Sequence, residues 1–111
     1  MDFTVSHAGG RVIGRPSGRV DESNWEAFCE ALTQAVRQAR EAKATLVLDL
    51  SGLDYMSSRG LRALSIAKRE AGDDVGVVLA APNPRMAEIL AISRYDQLFP
   101  VQENPEGDLG A

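Results

Sequence analysis

The chain has 111 residues, 44% hydrophobic and 25% charged, with a formal net charge of −4. That length suits one domain with one modest core, and the acid excess argues against a nucleic-acid binder, which would present a basic face. No apolar run approaches the roughly 20 residues that span a bilayer. The N-terminal MDFTVSHAGG lacks the basic and apolar regions of a secretory signal, and Cys29, the one cysteine, has no internal disulfide partner. A cytoplasmic location is expected, without membrane insertion.

Phe3 to Ser6 and Arg11 to Val20 read as two short strands joined at Ala8-Gly9-Gly10, because a glycine pair between extended runs favours a hairpin. Pro16 has no amide hydrogen and is expected to weaken or end ladder pairing at its position. Asp21 to Ser23 are good helix-start residues. From there Trp25, Phe28, Cys29, Leu32, Val36 and Ala39 follow helical spacing, with Glu26, Glu30, Gln34, Arg37, Gln38 and Glu41 opposite. The spacing predicts a helix over Ser23 to Ala42, with Trp25 and Cys29 on its core stripe.

The apolar run Leu46-Val47-Leu48-Asp49-Leu50 reads as a buried strand. The Gly52 turn and the apolar pair Tyr55-Met56 follow, then Ser57 and Ser58 just before an amphipathic helix over Ser58 to Ala71. Gly72-Asp73-Asp74 ends that helix. Val75 to Ala80 is a second nearly continuous apolar strand, of the kind found in parallel sheets of α/β domains. Pro82-Asn83-Pro84 opens a third helix with a short apolar stripe, Met86, Ile89 and Leu90. Leu98 to Gln102 reads as a last strand, and residues 103–111, ENPEGDLGA, as a flexible C-terminal tail. The order β-β-α-β-α-β-α-β predicts a mixed, mostly parallel sheet of about five strands, with right-handed crossovers and three helices mainly on one face.

The serine pair is the place where this pattern carries chemistry. Ser58 falls at or near the first position of its helix, at a strand-to-helix junction where α/β sheets concentrate function. Helix N-termini present unpaired amide hydrogens and partial positive charge. A hydroxyl there caps the helix, and a phosphate on it is accommodated by the same amides. Local spacing alone leaves both readings open, a structural cap and a charge switch of roughly −1.5 to −2.

The run Met56-Ser57-Ser58-Arg59-Gly60-Leu61 resembles the signature of STAS domains, the family of bacterial anti-sigma factor antagonists. In that family an apolar residue, Asp or Ser, the phosphoacceptor Ser or Thr, a variable residue, Gly and Leu occur in order. The resemblance covers residues 3–101, with 1–102 assigned to the domain, and implies a short β-α superhelix with an antiparallel first strand. Many members add a last helix that this polar tail is too short to supply. The resemblance implies Ser58 as the phosphorylation site, with Ser57 as a rival. Gly18-Arg19-Val20-Asp21 resembles a second family element, a Gly-x-apolar-Asp at the end of the second strand. It places Asp21 beside Ser58, with Asn24 a weaker candidate for the same surface. Asp21 has a competing role as cap of the Trp25 helix. Gly60 reads either as a tolerated helix glycine or as bare backbone that lets a partner approach. Arg59 and Arg62 read as solvated charges or as contacts to an acidic partner surface.

The function implied is partner binding without catalysis or cofactor. The chain would bind an anti-sigma factor, often a serine kinase, be switched off by phosphorylation of Ser58, and be restored by a serine phosphatase. One alternative is a STAS subunit of another assembly, such as a phospholipid transporter or a stress-sensing complex. A remote one is a small serine hydrolase, against which stand the single His7 in the N-terminal hairpin and the lack of a Gly-x-Ser-x-Gly elbow. One histidine and one cysteine make no convincing metal site.

Overall fold

Two antiparallel strands, β1 (Asp2–Ala8) and β2 (Arg11–Val20), pair from Asp2↔Ser17 to Ala8↔Arg11 around the two-residue turn Gly9-Gly10. They open a computed structural model that describes residues 1–105. After them come α1 (Trp25–Ala42), β3 (Thr45–Asp49), β4 (Leu53–Met56), α2 (Ser58–Ala71), β5 (Val77–Ala80), α3 (Pro84–Ser93), a 3₁₀ turn at Tyr95–Gln97, and β6 (Val101–Gln102). The sheet runs β1-β2-β3-β5-β6, with β4 paired to β2. Every pairing after the first hairpin is parallel.

The sheet therefore has six strands where about five were expected, and β4 is the addition. It arises because β2 is long enough to serve two neighbours on one edge. Arg11–Gly14 of β2 pair with β3, and Gly18–Val20 pair with β4. Within the β4 ladder the register shifts at Gly18/Arg19, where Gly18 has φ +91°. That left-handed backbone favours glycine, and it gives the Gly18 of the second sequence element a physical reason. Pro16 does not end pairing with β1, since the ladder passes through Phe3↔Pro16. The break falls on the opposite edge, where β2 changes partner.

Three boundaries differ from expectation. The first helix begins at Trp25, two residues late, because Asp21–Asn24 close a turn of their own, with the Asp21 carbonyl accepting from the Asn24 and Trp25 amides. β5 begins at Val77, since Val75 still bonds back to Ala71. β6 holds only Val101 and Gln102, because Tyr95–Gln97 turn and Phe99 drops into the core. Residues 106–111, most of the expected tail, lie outside the described residues.

One main core explains where the helices sit. Phe28, Leu32 and Val36 of α1, Leu64 and Ala67 of α2, and Met86 and Leu90 of α3 join a single cluster with Val12, Leu46, Leu48 and Leu79 of the sheet. Alternate strand residues Ile13, Val47 and Ala80 form a small separate cluster, as the period of two along a strand requires. Full burial of each large side chain contributes roughly 1.5–3 kcal/mol, so this face dominates stability. Arg40 of α1 fastens the C-terminus of α2, with Nη2 donating to the Glu70 carbonyl at 2.6 Å.

Candidate functional site at the start of the second long helix

Val20 pairs with Met56 at the ends of β2 and β4, so Asp21 and Ser57 follow side by side at the same sheet edge. The Ser57 amide donates to the Val20 carbonyl at 2.9 Å and locks the junction. This is the juxtaposition of Asp21 with the serines that the sequence anticipated, and it comes from the parallel β2–β4 pair.

The two serines have different roles. Ser57, with extended backbone, is the N-cap of α2, and its Oγ accepts from the Gly60 amide at 3.4 Å. Ser58 is the first helical residue, is exposed, and its hydroxyl makes no hydrogen bond among the described residues. The capping role expected at Ser58 thus belongs to Ser57. The first turn of α2 contains no acidic residue of its own, so the helix supplies no carboxylate to offset the positive end of its dipole.

Asp21 is not a side-chain cap for α1. Its Oδ1 accepts from the amide and hydroxyl of Ser23, at 2.9 and 2.6 Å. Those two bonds, the hydroxyl first, hold its carboxyl below the ordinary 3.8, and the nearby Arg19 charge acts in the same direction. Asn24 stands at the cap position of α1 without a capping side-chain bond. Instead its Oδ1 accepts from the Asp21 amide and its Nδ2 donates to the Arg19 carbonyl, both at 2.9 Å. Asn24 is the brace of the loop that presents Asp21.

Gly60 requires a correction. It was expected near the surface, as bare backbone open to a partner, yet it is buried. A Cβ there would stand 2.4 Å from Met56 Cγ and 2.9 Å from Val20 Cγ1. The missing side chain lets α2 lie directly on the β2–β4 pair, which is what brings Ser58 to this edge.

Arg59 finds its partner within the chain. Its Nε lies 2.7 Å from Glu22 Oε2, and its guanidinium sits 5.6 Å from the Trp25 ring centroid. Both charges are more than half exposed, so the pair contributes about 0–1 kcal/mol. Its effect is to orient Arg59 beside Ser58. Arg62 is exposed one turn further along α2. Sequence reasoning missed Glu22, whose role depends on the loop fold. It also missed Tyr55, read as half of an apolar pair. The Tyr55 ring is flanked by the guanidinium groups of Arg19 at 4.6 Å and Arg85 at 5.8 Å. The Leu53-Asp54-Tyr55-Met56 strand was the signal, but four residues are too few to show a period.

His7 contacts Gln38 Oε1 at 3.3 Å. Gln38 lies 13 residues from the start of α1, roughly 20 Å along the helix axis, whereas Trp25 at that start is the residue beneath Arg59. His7 is therefore not a base for Ser58. Among the described residues no group of three or more His, Cys, Asp and Glu is placed to hold a metal, and no helix is long and apolar enough to cross a membrane.

A domain of three helices on one face of a mixed, mostly parallel sheet, with an exposed hydroxyl at a helix start on the sheet edge, belongs to the class of small single-sheet α/β domains. Residues 2–107 match the STAS domain family model, and the chain belongs to that family. It is 31% identical over 112 residues to a Bordetella bronchiseptica protein named as a candidate anti-sigma factor antagonist, BtrV, covering all of this chain and 94% of that one. Among solved structures, it superposes on an anti-sigma factor antagonist from Mycobacterium paratuberculosis with a TM-score of 0.79 at 24% identity, covering 91% of this chain and 84% of that one. It also superposes on SpoIIAA, a Bacillus cell fate determinant determined in its phosphorylated form. There the TM-score is 0.62 at 20% identity, with 90% of each chain covered. At these identities the two structures bear on the fold.

Proposed function

We propose that this chain is a cytoplasmic anti-sigma factor antagonist whose binding surface is the edge formed by the Asp21 loop and the first turn of α2. Unphosphorylated protein binds an anti-sigma factor through Asp21, Asn24, Ser57, Ser58, Arg59 and Arg62. Gly60 acts from beneath by seating the helix. The anti-sigma factor is itself a serine kinase, and phosphorylation of Ser58 ends binding. A serine phosphatase restores it.

The observation that carries this reading is the division of labour between the serines. The Ser57 hydroxyl is engaged by the Gly60 amide, while the Ser58 hydroxyl is exposed and unengaged at the amide-rich end of a 14-residue helix. In the transfer, Ser58 Oγ bonds to the γ-phosphorus of ATP, the bond to the ADP oxygen breaks, and the hydroxyl proton passes to a base of the kinase. The product gains roughly −1.5 to −2 charges where the helix amides and dipole favour anions. The domain therefore tolerates both states, whereas a partner packed on the neutral serine does not.

The test is phosphoryl transfer from the purified anti-sigma kinase with ATP and Mg²⁺, read by fragment mass spectrometry. Transfer to wild type and Ser57→Ala but not to Ser58→Ala is expected. Transfer that survives Ser58→Ala and stops in Ser57→Ala moves the site by one residue. Binding without transfer to either serine leaves a docking module with no switch.

A further inference from the structure

We infer that the groove between α1 and α2 is a second docking element, running on from the serine edge, which receives an apolar side chain flanked by lysine or arginine of the anti-sigma factor. This rests on the function proposed above. The groove has a volume of about 320 Å³ and is lined by Trp25, Glu26, Cys29, Glu30, Thr33 and Ile66. Its floor is apolar. Trp25 and Cys29 are half-buried and lean on the main core, while Ile66 of α2 is half-buried outside that core.

The rim is acidic. Glu26 and Glu30 are exposed and stand four residues apart on α1, a spacing at which like charges repel. Among the described residues neither has an ion-pair partner. Arg59 stands over Trp25 at one end of the groove, but its charge is met by Glu22. Arg62, exposed on the same helix, does not line the groove. The α1 side of the rim thus keeps two carboxylates without ion-pair partners above an apolar floor, while Arg62 of α2 stands one turn from Ile66 on the far side. An occupant that buries a hydrophobic side chain and places cations outside it satisfies both, the usual division of an interface into apolar centre and charged margin. A second copy of this chain fits badly, because a two-fold contact would set two acidic rims against each other.

The groove also starts at the switch. Ile66 is eight residues beyond Ser58, roughly 12 Å along the helix, and Arg59 joins the two. A partner seated on Ser58 can reach the groove without leaving α2.

Three proteins, wild type, Ser58→Asp and E26K/E30K, are titrated calorimetrically with the purified cognate anti-sigma factor at low and high salt. Cys29 is labelled with a maleimide in the free and bound states. Burial raises the Cys29 thiol above its ordinary value, so labelling is run at alkaline pH. We expect E26K/E30K to stay folded with a melting midpoint a few degrees below wild type, because Glu26 stands in the first turn of α1, to bind about tenfold more weakly at low salt, and to lose most of the salt dependence. Cys29 labelling should slow at least about tenfold in the wild-type complex, as burial of the groove requires. Wild-type affinity in E26K/E30K, with Cys29 equally reactive bound and free, overturns the groove while leaving the serine edge standing. Failure of wild type to bind overturns the function and the groove together. Labelling that slows as the chain alone is concentrated makes a second copy the occupant and overturns the assignment.

Discussion

Replacing Gly60 by alanine sets two opposed effects against each other, and the structure decides which prevails. In an exposed helix the change gains about 1 kcal/mol, because alanine is the better helix former. Here the new Cβ would lie 2.4 Å from Met56 Cγ and 2.9 Å from Val20 Cγ1. Neither neighbour yields easily. Met56 is 2% exposed and is struck in mid-chain, and Val20 is fully buried on a strand with a stiff branched side chain. Overpacking of this kind costs about 1–3 kcal/mol, and two contacts of this closeness place the cost in the upper part of that range. The net expectation is a loss of about 1–2 kcal/mol, or roughly 5–10 °C in the melting midpoint for a domain of this size. Urea unfolding followed by circular dichroism measures it directly. Gly60→Lys should lose far more, since its stem has no path to solvent. A double-mutant cycle locates the strain. With Met56→Ala already present, Gly60→Ala should cost less than in wild type, because the two sites share the same space. A Gly60→Ala protein as stable as wild type, or more so, would refute the close packing of α2 on β2 and β4.

Asn83 is expected to be the most costly surface-loop substitution. It caps α3 by accepting from the Met86 amide at 2.9 Å and donates to the Leu53 carbonyl at 2.6 Å, so Asn83→Ala should lose about 2 kcal/mol in urea unfolding. Ser57→Ala should lose only about 0.5 kcal/mol, because its capping bond is long at 3.4 Å. Ser58→Asp should match or exceed wild-type stability by up to about 1 kcal/mol, since a carboxylate favours a helix start, and calorimetry should show its binding to the anti-sigma factor much weakened. Asp21 gives a pH prediction. Its folded-state carboxyl lies below the ordinary 3.8, so its contribution is present above that value and is lost as pH falls through the depressed folded one. Carbon-detected NMR titration should show Ser23→Ala moving the Asp21 midpoint upward, and an unmoved midpoint would remove Ser23 as the cause.

The sequence by itself determined the elements that bury a periodic face. The α1 stripe from Trp25 to Ala39, the apolar runs of β3 and β5, and the hairpin at Gly9-Gly10 were legible because each pattern is local and long enough to repeat. The order of these elements then dictated a mostly parallel sheet with its helices on one face, and the serine motif marked the edge where the candidate site lies. Only the tertiary structure decided that Leu53–Met56 is a strand, since its partner Gly18–Val20 lies over thirty residues away and the strand has no period of its own. It also separated the serines, because which hydroxyl caps α2 depends on where the chain bends after Met56. Gly60 shows the limit most plainly. Its neighbours on α2, Arg59 and Leu61, say nothing of Val20, and a glycine that admits a buried valine and methionine reads the same in sequence as one that faces water. Contact between distant segments sets that difference, and no window along the chain contains it.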